Sequence, residues 1–310
     1  MRKAVIDVGS NSVLLLIEEL DSGNWKTVRE ATAVTSLGEG VKQTGKLGEP
    51  GIANTLAALQ DFFKIANDCG CSQIRAAATM AARMATNTSE FLERATAQGT
   101  PCEVLPGEEE AQLGFEAAAL DPSFGMHPRL SIIDVGGQST ELVTAERKPD
   151  GWEMLFRRSF PIGTLALLSG TLSDETPQAP AILRAVAEID DIIGMDYLPH
   201  QAGYPIVLGA TGTNLVSIRE HLMQWEPLKV HGAWLDYEEI SKASHWLFGL
   251  SFELRSEVVG MEPGRERTLP IGALILERFL QKIHVLGCAV SVRGWRHAML
   301  EKADDPIPAK

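Results

Sequence analysis

Hydrophobic and polar positions follow two periodicities that alternate along this chain. Short apolar runs, typical of buried strands, occupy Lys3–Val8 and Leu130–Val135. Other segments carry apolar residues roughly every three to four positions, which is typical of amphipathic helices. After each of the two strand-like runs come a glycine-containing turn and a second apolar segment, which together indicate a β-hairpin. The alternation predicts an α/β protein.

The individual elements can be assigned from these periodicities and from the glycine and proline residues that interrupt them. The predicted strands are Lys3–Val8, Val13–Ile17, Gln73–Ala78, Cys102–Leu105, Leu130–Val135, Glu141–Ala145, Gly151–Pro161 and Tyr204–Leu208. The predicted helices are Glu49–Asn67, Ser89–Ala97, Gly107–Leu120, Pro180–Tyr197, Asp236–Phe248, Thr268–Ile283 and a last helix within Ser291–Leu300.

A short internal repeat divides the chain into two halves. IDVGSNS occupies residues 6–12, and IDVGGQS occupies residues 133–139. Each copy ends a predicted strand with an aspartate two residues before the glycine, so the sequence predicts two related domains. The proline- and glycine-containing segment 121–129 separates them, giving domains at 1–124 and 125–310, with the last helix able to pack back on the first.

Four glycine-containing turns follow predicted strands: DVGSNS, DVGGQST, PIGT and GATGTN. Such turns expose successive backbone N–H groups, which bind anions and phosphate above all. One such turn alone is most often an ordinary hairpin turn. Two near-identical copies, each with an aspartate beside it, instead predict two loops that bind one phosphate chain and its Mg²⁺.

Three further residues carry candidate chemistry. Glu110 belongs to a run of three glutamates that opens a helix; the first two are expected to complement the helix dipole, whereas Glu110 could face inward as a base. Arg83 follows a strand and could contact a phosphoryl group or lie on the surface. Glu141 could be an outer-sphere metal ligand or pair with a surface cation.

Composition narrows the function. The formal net charge of −13 over 310 residues argues against a nonspecific nucleic-acid binder, whose surface would be basic. No apolar run reaches the roughly 18 to 20 residues of a membrane helix, and the first residues do not resemble a signal peptide, so a cytoplasmic protein is expected. The motifs HExxH, GxSxG and GxxxxGKS/T do not occur, which leaves zinc hydrolases, serine hydrolases and Walker-type NTPases without support.

Seven short motifs follow one another along the chain: IDVGSNS, TMAARMATN, PGEEEA, IDVGGQSTEL, GATGT, LPIGALILE and VRGWRHAML. In this order they resemble the motifs of the exopolyphosphatase and guanosine pentaphosphate phosphohydrolase (Ppx/GppA) family. The resemblance covers about residues 3–300 and implies a short, two-domain member of the actin-like ATPase superfamily. In that fold class, two ribonuclease H-like domains close on a phosphate-binding interdomain cleft. Gln138 departs from the family pattern, because it replaces a third glycine.

The resemblance also implies a role for each matching residue. Glu110 would activate the attacking water, and Arg83 would neutralise charge on the transferred phosphoryl group. Asp134 and Glu141 would hold Mg²⁺ or Mn²⁺, with Asp7 contributing from the opposite wall. The phosphate-binding residues would be Gly9, Ser10, Asn11, Ser12, Gly136, Gly137, Gln138, Ser139 and Thr140, with Gly209 and Gly212 lining a nucleotide or distal phosphate site.

The activity implied is that of a phosphoric anhydride hydrolase, an exopolyphosphatase that removes terminal orthophosphate from inorganic polyphosphate. Hydrolysis of guanosine pentaphosphate or another nucleotide at the same site is an alternative. A second alternative is a non-catalytic sensor of phosphate or nucleotide. A third alternative is a sugar or acetate-type kinase, although a glutamate beside a water, as expected for Glu110, would be hard to explain in a kinase. No nucleic-acid or membrane partner is expected, and a homodimer is compatible with the resemblance.

A polyanionic substrate conflicts with the negative charge of the chain. Local features must therefore attract it: the metal, the turn N–H groups, Arg83, and cations near the exit of the cleft. The candidates for those cations are Arg265, Arg267, Arg293 and Arg296. The sequence thus predicts a basic channel confined to the cleft of an otherwise negative protein, and turnover of long chains that weakens as salt rises.

Overall fold

A computed structural model describes residues 1–194 and 199–302. Its strands are β1 (Arg2–Val8), β2 (Ser12–Asp21), β3 (Asn24–Val34), β4 (Gln73–Ala78), β5 (Glu103–Val104), β6 (Arg129–Val135), β7 (Thr140–Lys148), β8 (Gly151–Phe160), β9 (Tyr204–Leu208), β10 (Trp234–Asp236) and β11 (Gly287–Ser291). No helix in these two ranges is long and apolar enough to cross a membrane.

The helices vary from single turns to α2, which runs over 20 residues. They are α1 (Val41–Thr44), α2 (Glu49–Asp68), α3 (Met80–Met84), α4 (Thr88–Ala97), α5 (Gly107–Ala119), α6 (Thr164–Leu168), α7 (Ala179–Ile193), α8 (Ala210–Arg219), α9 (Pro227–Val230), α10 (Tyr237–Phe248), α11 (Phe252–Ser256), α12 (Leu269–Lys282) and α13 (Trp295–Lys302).

The chain forms two compact units. Unit 1 comprises Met1–Ala117 and the segment that begins at Trp295, and unit 2 comprises Ala118–Gly294. The observed boundary between the units lies between residues 117 and 118, whereas the boundary predicted from the sequence lies between residues 124 and 125. Segment 118–128 belongs to unit 2 because its residues form hydrogen bonds and ion pairs with that unit. The N–H of Arg147 donates to the carbonyl of Pro128 at 2.7 Å, and His231 Nε2 lies 3.3 Å from Oδ2 of Asp121.

Unit 1 is a five-stranded sheet with the order β3-β2-β1-β4-β5. β1 pairs antiparallel with β2 and parallel with β4, as expected for a hairpin followed by a crossover helix. Alternate residues of the sheet point to opposite faces. Ala4, Ile6 and Val8 pack in the core beneath α2, whereas Val5 packs with Trp295 and Leu300 of α13.

Unit 2 is a six-stranded sheet with the order β10-β11-β9-β6-β7-β8. Its central part repeats the scheme of unit 1: β6 pairs antiparallel with β7 and parallel with β9. The core of unit 2 includes Ile133 and Val135 of β6 and most of α12. The two units therefore share the order of hairpin and parallel strand that the sequence repeat predicts, and the predicted two-domain α/β class is confirmed.

Three strands were absent from the sequence prediction. β3 has no buried residue and lies at the sheet edge, where its pairing with β2 determines the strand more than any apolar pattern does. β10 has only three residues, and β11 is a run of five buried residues. The predicted helix Pro180–Tyr197 is observed as α7, and its last residues lie outside the described ranges. All four cysteines are free.

Candidate functional site

The first glycine turn joins β1 and β2 in unit 1. The N–H of Gly9 donates to the carbonyl of Ser12 at 3.0 Å and closes the turn. Ser10, Asn11 and Ser12 are all buried, and the amide of Asn11 lies 3.4 Å from the hydroxyl of Ser12. Within the described ranges, the N–H groups of Ser10 and Asn11 make no hydrogen bond to a backbone carbonyl. The turn therefore offers backbone donors that an anion can accept from.

A second loop, after β3, fixes this turn. The N–H of Gly38 donates to the carbonyl of Ser10 at 2.7 Å, and the N–H groups of Thr35 and Ser36 both donate to the carbonyl of Asn11 at 3.0 Å. A Cβ at Gly38 would lie 2.8 Å from the Cβ of Ser10, so only glycine allows this approach. The carbonyls of the turn are thereby directed to the supporting loop.

Asp7 lies one strand position before the turn. By strand alternation it shares the face of Val5, where α13 packs. Its Oδ1 is buried and has no hydrogen-bond partner in the part of the chain that the structure describes. Burial raises the pKa of Asp7 to about 7, and the nearby charge of Arg296 and a hydrogen bond to Trp295 oppose the shift only partly.

Arg83 and Glu110 form an ion pair in unit 1. Arg83 is in the single turn α3 after β4, and Glu110 is in the first turn of α5. Nη1 of Arg83 lies 2.7 Å from Oε2 of Glu110 and also donates to the carbonyl of Leu105 at 2.7 Å. Nη2 lies 3.6 Å from the sulfur of Met80. The structure thus brings together the two residues to which the sequence gives catalytic roles.

The neighbouring glutamates differ from Glu110 in exposure. Glu108 and Glu109 are exposed in the first turn of α5, whereas Glu110 is half-buried. Acidic side chains at a helix N-terminus complement the helix dipole. Glu108 and Glu109 therefore fit the capping role that the sequence gives them, and Glu110 alone reaches Arg83.

The second glycine turn joins β6 and β7 in unit 2. The N–H of Gly136 donates to the carbonyl of Ser139 at 2.9 Å, which is the same closure as in the first turn. Gln138, Ser139 and Thr140 are buried. The N–H of Gly137 makes no hydrogen bond to a backbone carbonyl within the described ranges, so this turn also offers a donor.

The PIGT segment supports this second turn. The N–H of Thr164 donates to the carbonyl of Gly136 at 3.0 Å, and that of Leu165 donates to the carbonyl of Gly137 at 2.7 Å. A Cβ at Gly163 would lie 2.5 Å from the carbonyl carbon of Gly137. The loops at 35–38 and 161–164 are therefore equivalent supports. From its sequence PIGT is predicted only as a further glycine turn, and the loop at 35–38 has no predicted role, although the glycines of its LGEG segment are a visible signal.

Two carboxylates of unit 2 stand opposite each other. Asp134 on β6 is paired in register with Glu141 on β7, and Glu141 is paired with Ser159 on β8. The hydroxyl of Ser159 donates to Oε1 of Glu141 at 2.6 Å. Directly opposed residues share one face of the sheet, and like charges there are unfavourable unless a cation compensates them.

The first hairpin lacks this carboxylate pair. Asp7 is paired in register with Leu14, which occupies the position of Glu141 in the repeat. The repeat thus preserves the turn and the first aspartate, and only unit 2 adds a second carboxylate.

The GATGTN turn leads into α8. Gly209 is the N-cap of α8 with φ of +80°, and a Cβ there would lie 3.2 Å from Oδ1 of Asp134. Gly209 therefore borders the Asp134 carboxylate. Gly212 lies within α8, where a Cβ would meet Val207 at 2.5 Å and Val290 at 3.3 Å. The close packing of α8 on the sheet explains a glycine at this position.

Three of the four arginines that the sequence proposed as channel cations have acidic partners. Arg265 Nε lies 3.1 Å from Glu262, Arg293 Nε lies 3.5 Å from Asp121, and Arg296 Nη2 lies 4.0 Å from Glu30. Arg267 is exposed. The charge of most of these side chains is thus partly compensated within their own unit.

The donor chemistry fits a magnesium ion that is partly coordinated by substrate. Within residues 1–194 and 199–302, no three His, Cys, Asp or Glu side chains stand close enough to hold a metal ion by themselves. Mg²⁺ typically binds one or two carboxylates and completes its shell with water and phosphate oxygens. Asp134 with Glu141, and Asp7 with its unpartnered Oδ1, supply that kind of ligand.

Comparison with known proteins identifies consistent relatives. The model of the Ppx/GppA phosphatase family matches residues 16–303. Exopolyphosphatase 2 of Mycobacterium tuberculosis is 26% identical over 295 residues, which cover 91% of this chain and 91% of that protein. Exopolyphosphatase 1 of Mycobacterium bovis is 32% identical over 181 residues, or 57% of this chain and 51% of that protein.

Solved structures that resemble this chain include members of the same family. The Aquifex aeolicus member of the Ppx/GppA family has a TM-score of 0.78 and 30% identity, with 97% of this chain and 96% of that chain covered. An exopolyphosphatase from Cytophaga hutchinsonii has a TM-score of 0.85 at 21% identity, with 97% of this chain and 96% of that chain covered. This comparison shows that the two chains share a fold.

Proposed function

This chain belongs to the Ppx/GppA phosphatase family, and from that premise we propose that it is an exopolyphosphatase acting on inorganic polyphosphate. Two findings support phosphatase activity in general: membership of this family, and the match to Exopolyphosphatase 2 of Mycobacterium tuberculosis over 91% of both chains. The observation that carries the finer proposal is the half-buried Arg83–Glu110 pair, with Nη1 and Oε2 at 2.7 Å. It combines a candidate base with a phosphoryl-binding cation.

Glu110 is the proposed general base. Its carboxylate accepts a proton from a water molecule, and the water oxygen forms a bond to the terminal phosphorus. The bond from that phosphorus to the bridging oxygen breaks, and the shortened polyphosphate leaves with the electron pair. Phosphoryl transfer needs mainly positioning and charge stabilisation, which a fixed carboxylate and a guanidinium provide.

Arg83 has two successive partners in this proposal. Without substrate it binds Glu110 and the carbonyl of Leu105. A terminal phosphoryl group offers guanidinium three terminal oxygens and more negative charge than a carboxylate, whereas Glu110, whose side chain is 16% exposed, contacts Nη1 of Arg83 through Oε2. The substrate thereby draws Arg83 to itself and leaves the carboxylate of Glu110 available to accept the proton.

The two glycine turns are the proposed phosphate-binding elements. Ser10 and Asn11 in unit 1 and Gly137 in unit 2 have N–H groups without backbone acceptors in the described ranges. Each turn is held by a supporting loop, so the donors are fixed before substrate binds and little ordering remains to be done. Backbone N–H groups bind successive phosphates irrespective of chain length, which suits a polymer substrate.

Asp134 and Glu141, which are opposed in unit 2, are the residues proposed to hold Mg²⁺ or Mn²⁺, and Asp7 is proposed as a candidate ligand within unit 1. The ion would supply neutralisation of phosphate charge when it is bound. Asp134→Asn is expected to weaken Mn²⁺ binding roughly tenfold or more, measured by calorimetry and by electron paramagnetic resonance without substrate. Asp150→Asn in an exposed turn is the control. Unchanged binding by Asp134→Asn would remove this residue from the metal site.

Glu110→Gln tests the assignment of the base. This variant should lose roughly 100-fold or more in phosphate release and still bind polyphosphate, because the amide keeps the shape but accepts no proton. Glu109→Gln is the matched control, one residue away and exposed. Equal turnover by the wild type and Glu110→Gln would exclude Glu110 as the base.

Substrate choice is tested with defined polyphosphate lengths beside guanosine pentaphosphate. Phosphate release that is faster on polyphosphate, and that falls as salt rises, supports the proposal. Preference for the pentaphosphate would assign the site to a nucleotide. Binding of either compound without hydrolysis in the presence of Mg²⁺ would indicate a sensor.

A further inference from the structure

Unit 2 contains a cavity that the proposed function does not use. It has a volume of about 210 Å³ and lies between α8, β10 and α10. The residues that line it are Leu215, Ile218, Arg219, Leu235, Glu239, Ile240, Ala243, Trp246 and Leu247. Seven of these nine side chains are apolar, so the wall offers water few hydrogen-bond partners and favours an apolar occupant.

The size of the cavity indicates what can enter it. An engineered apolar cavity of about 150 Å³ stays dry and binds benzene. The cavity of unit 2 is larger, at about 210 Å³, and is therefore matched by a bicyclic ring system rather than a single ring. The cavity is partly open to solvent at Trp246, which is 47% exposed, so an apolar occupant would cover apolar surface that otherwise faces water.

The two charged residues of the lining neutralise each other. Nη1 of Arg219 lies 3.4 Å from Oε1 of Glu239 and donates to the carbonyl of Trp234 at 2.7 Å. Nε of Arg219 donates to Glu220 at 2.9 Å. The guanidinium is thus held by three acceptors, and the cavity presents a charge pair without net charge. A phosphate would gain little here, in contrast to the glycine turns.

Trp246 gives the cavity an aromatic wall. It lies on α10 and is 47% exposed, although it lines an apolar cavity. A half-exposed indole beside branched aliphatic side chains provides a π surface against which a second ring can pack edge-on or offset. Such contacts favour an aromatic ligand over an alkyl chain of equal volume.

The cavity is separate from the phosphate-binding turn of the same unit. α8 begins at the Gly209 cap beside Asp134, whereas Leu215, Ile218 and Arg219 lie towards its other end. A helix of ten residues rises about 15 Å, so the two ends serve different ligands.

We propose that this cavity binds a small aromatic molecule of about ten non-hydrogen atoms, seated between α8 and α10 against Trp246. The apolar wall supplies most of the affinity, and the Arg219–Glu239 pair borders a polar substituent of the ligand. The site is distinct from the phosphate turns and does not depend on the proposed hydrolysis.

The test uses indole, a bicyclic aromatic of the expected size, with saturation-transfer NMR on the chain of 310 residues. Ala243→Phe fills the cavity from within, because Ala243 lines it. Lys242→Phe is the matched control, since it makes the same change one residue away at an exposed position. Ala243→Leu replaces the first variant if the phenylalanine prevents folding.

The expected result is saturation transfer to indole in the wild type and in Lys242→Phe, with binding at least tenfold weaker in Ala243→Phe. Absence of transfer in the wild type, or equal transfer in Ala243→Phe, would overturn the proposal. Analytical ultracentrifugation of the same variants is a second test. If the wild type and Lys242→Phe self-associate and Ala243→Phe does not, the cavity binds a second copy of the chain, and the proposal of a small-molecule site is overturned.

Discussion

Arg83 binds Glu110 through a single nitrogen, Nη1, which lies 2.7 Å from Oε2 and donates at the same time to the carbonyl of Leu105. Both side chains are less than one-fifth exposed, at 19% and 16%. A charge-assisted hydrogen bond in such a position is stronger than an exposed ion pair. The proposed base and the proposed phosphoryl-binding cation are therefore one coupled unit.

Arg83→Ala is expected to lower kcat roughly 100-fold, because a fixed cation that stabilises transferred charge is lost. Arg83→Lys should recover only part of that loss, since an ammonium lacks the planar fork of guanidinium. Initial rates of phosphate release measure both. Arg75→Ala is the control, because Arg75 forms a 2.6 Å pair with Glu103 on a neighbouring strand. A similar loss in Arg75→Ala would show that damage to unit 1, rather than the missing phosphoryl contact, slows the reaction.

The sequence predicts the parts of the fold that depend on local pattern. The two hairpins are confirmed, because two apolar runs and the glycine turn between them suffice to define each hairpin. Glu110 and Arg83 could be named individually from their motifs. Their contact could not be derived from the sequence, since 27 residues separate them and the ion pair depends on how α3 and α5 pack.

Other features depend on long-range pairing and were missed. The supporting loops at 35–38 and 161–164 gain their role only when the turns they bind are close in space. One short-range contact was also missed: the sulfur of Met80 lies 3.6 Å from Nη2 of Arg83, which is three residues further along the chain.

Gly163→Ala is expected to disturb the second glycine turn. The added methyl group would lie 2.5 Å from both the carbonyl carbon and the carbonyl oxygen of Gly137, and backbone atoms cannot yield as a flexible side chain can. The free energy of unfolding should fall by about 1–3 kcal/mol, and the KM for polyphosphate should rise. Gly48→Ala is the control, because its nearest neighbour would be Pro50 at 3.9 Å. Chemical denaturation and steady-state kinetics measure the two effects, and a Gly163→Ala protein that matches Gly48→Ala would contradict the supporting role.

Trp295→Ala is expected to destabilise unit 1, although Trp295 lies near the end of the sequence. The side chain is 4% exposed and packs with Val5 and Leu113. Removing a buried tryptophan typically costs about 3–5 kcal/mol. Trp225→Ala, at a side chain that is 48% exposed, should cost far less. Equal shifts in Tm for the two variants would mean that α13 contributes little to the core of unit 1.

Asp121 should make part of the stability of unit 2 dependent on acid pH. Its Oδ2 lies 3.3 Å from His231 Nε2 and 3.5 Å from Arg293 Nε, and its Oδ1 accepts from the N–H of Ser123 at 2.8 Å. Burial alone would raise the pKa of Asp121, but the hydrogen bonds from His231 and Ser123 outweigh burial and hold the pKa below its ordinary value of 3.8. The folded state then binds fewer protons than the unfolded state around that pH.

The sign of the effect follows from that difference in proton binding. Stability from Asp121 is complete above pH 3.8 and is lost as the pH falls through the lower pKa of the folded state. Asp121→Asn keeps an acceptor for Ser123 but has no charge, so it should cost about 1–2 kcal/mol at neutral pH. Urea unfolding of wild type and variant across the acid range should therefore give curves that converge below about pH 4. Curves that remain parallel at every pH would show that the His231 and Arg293 contacts do not depend on the charge of Asp121.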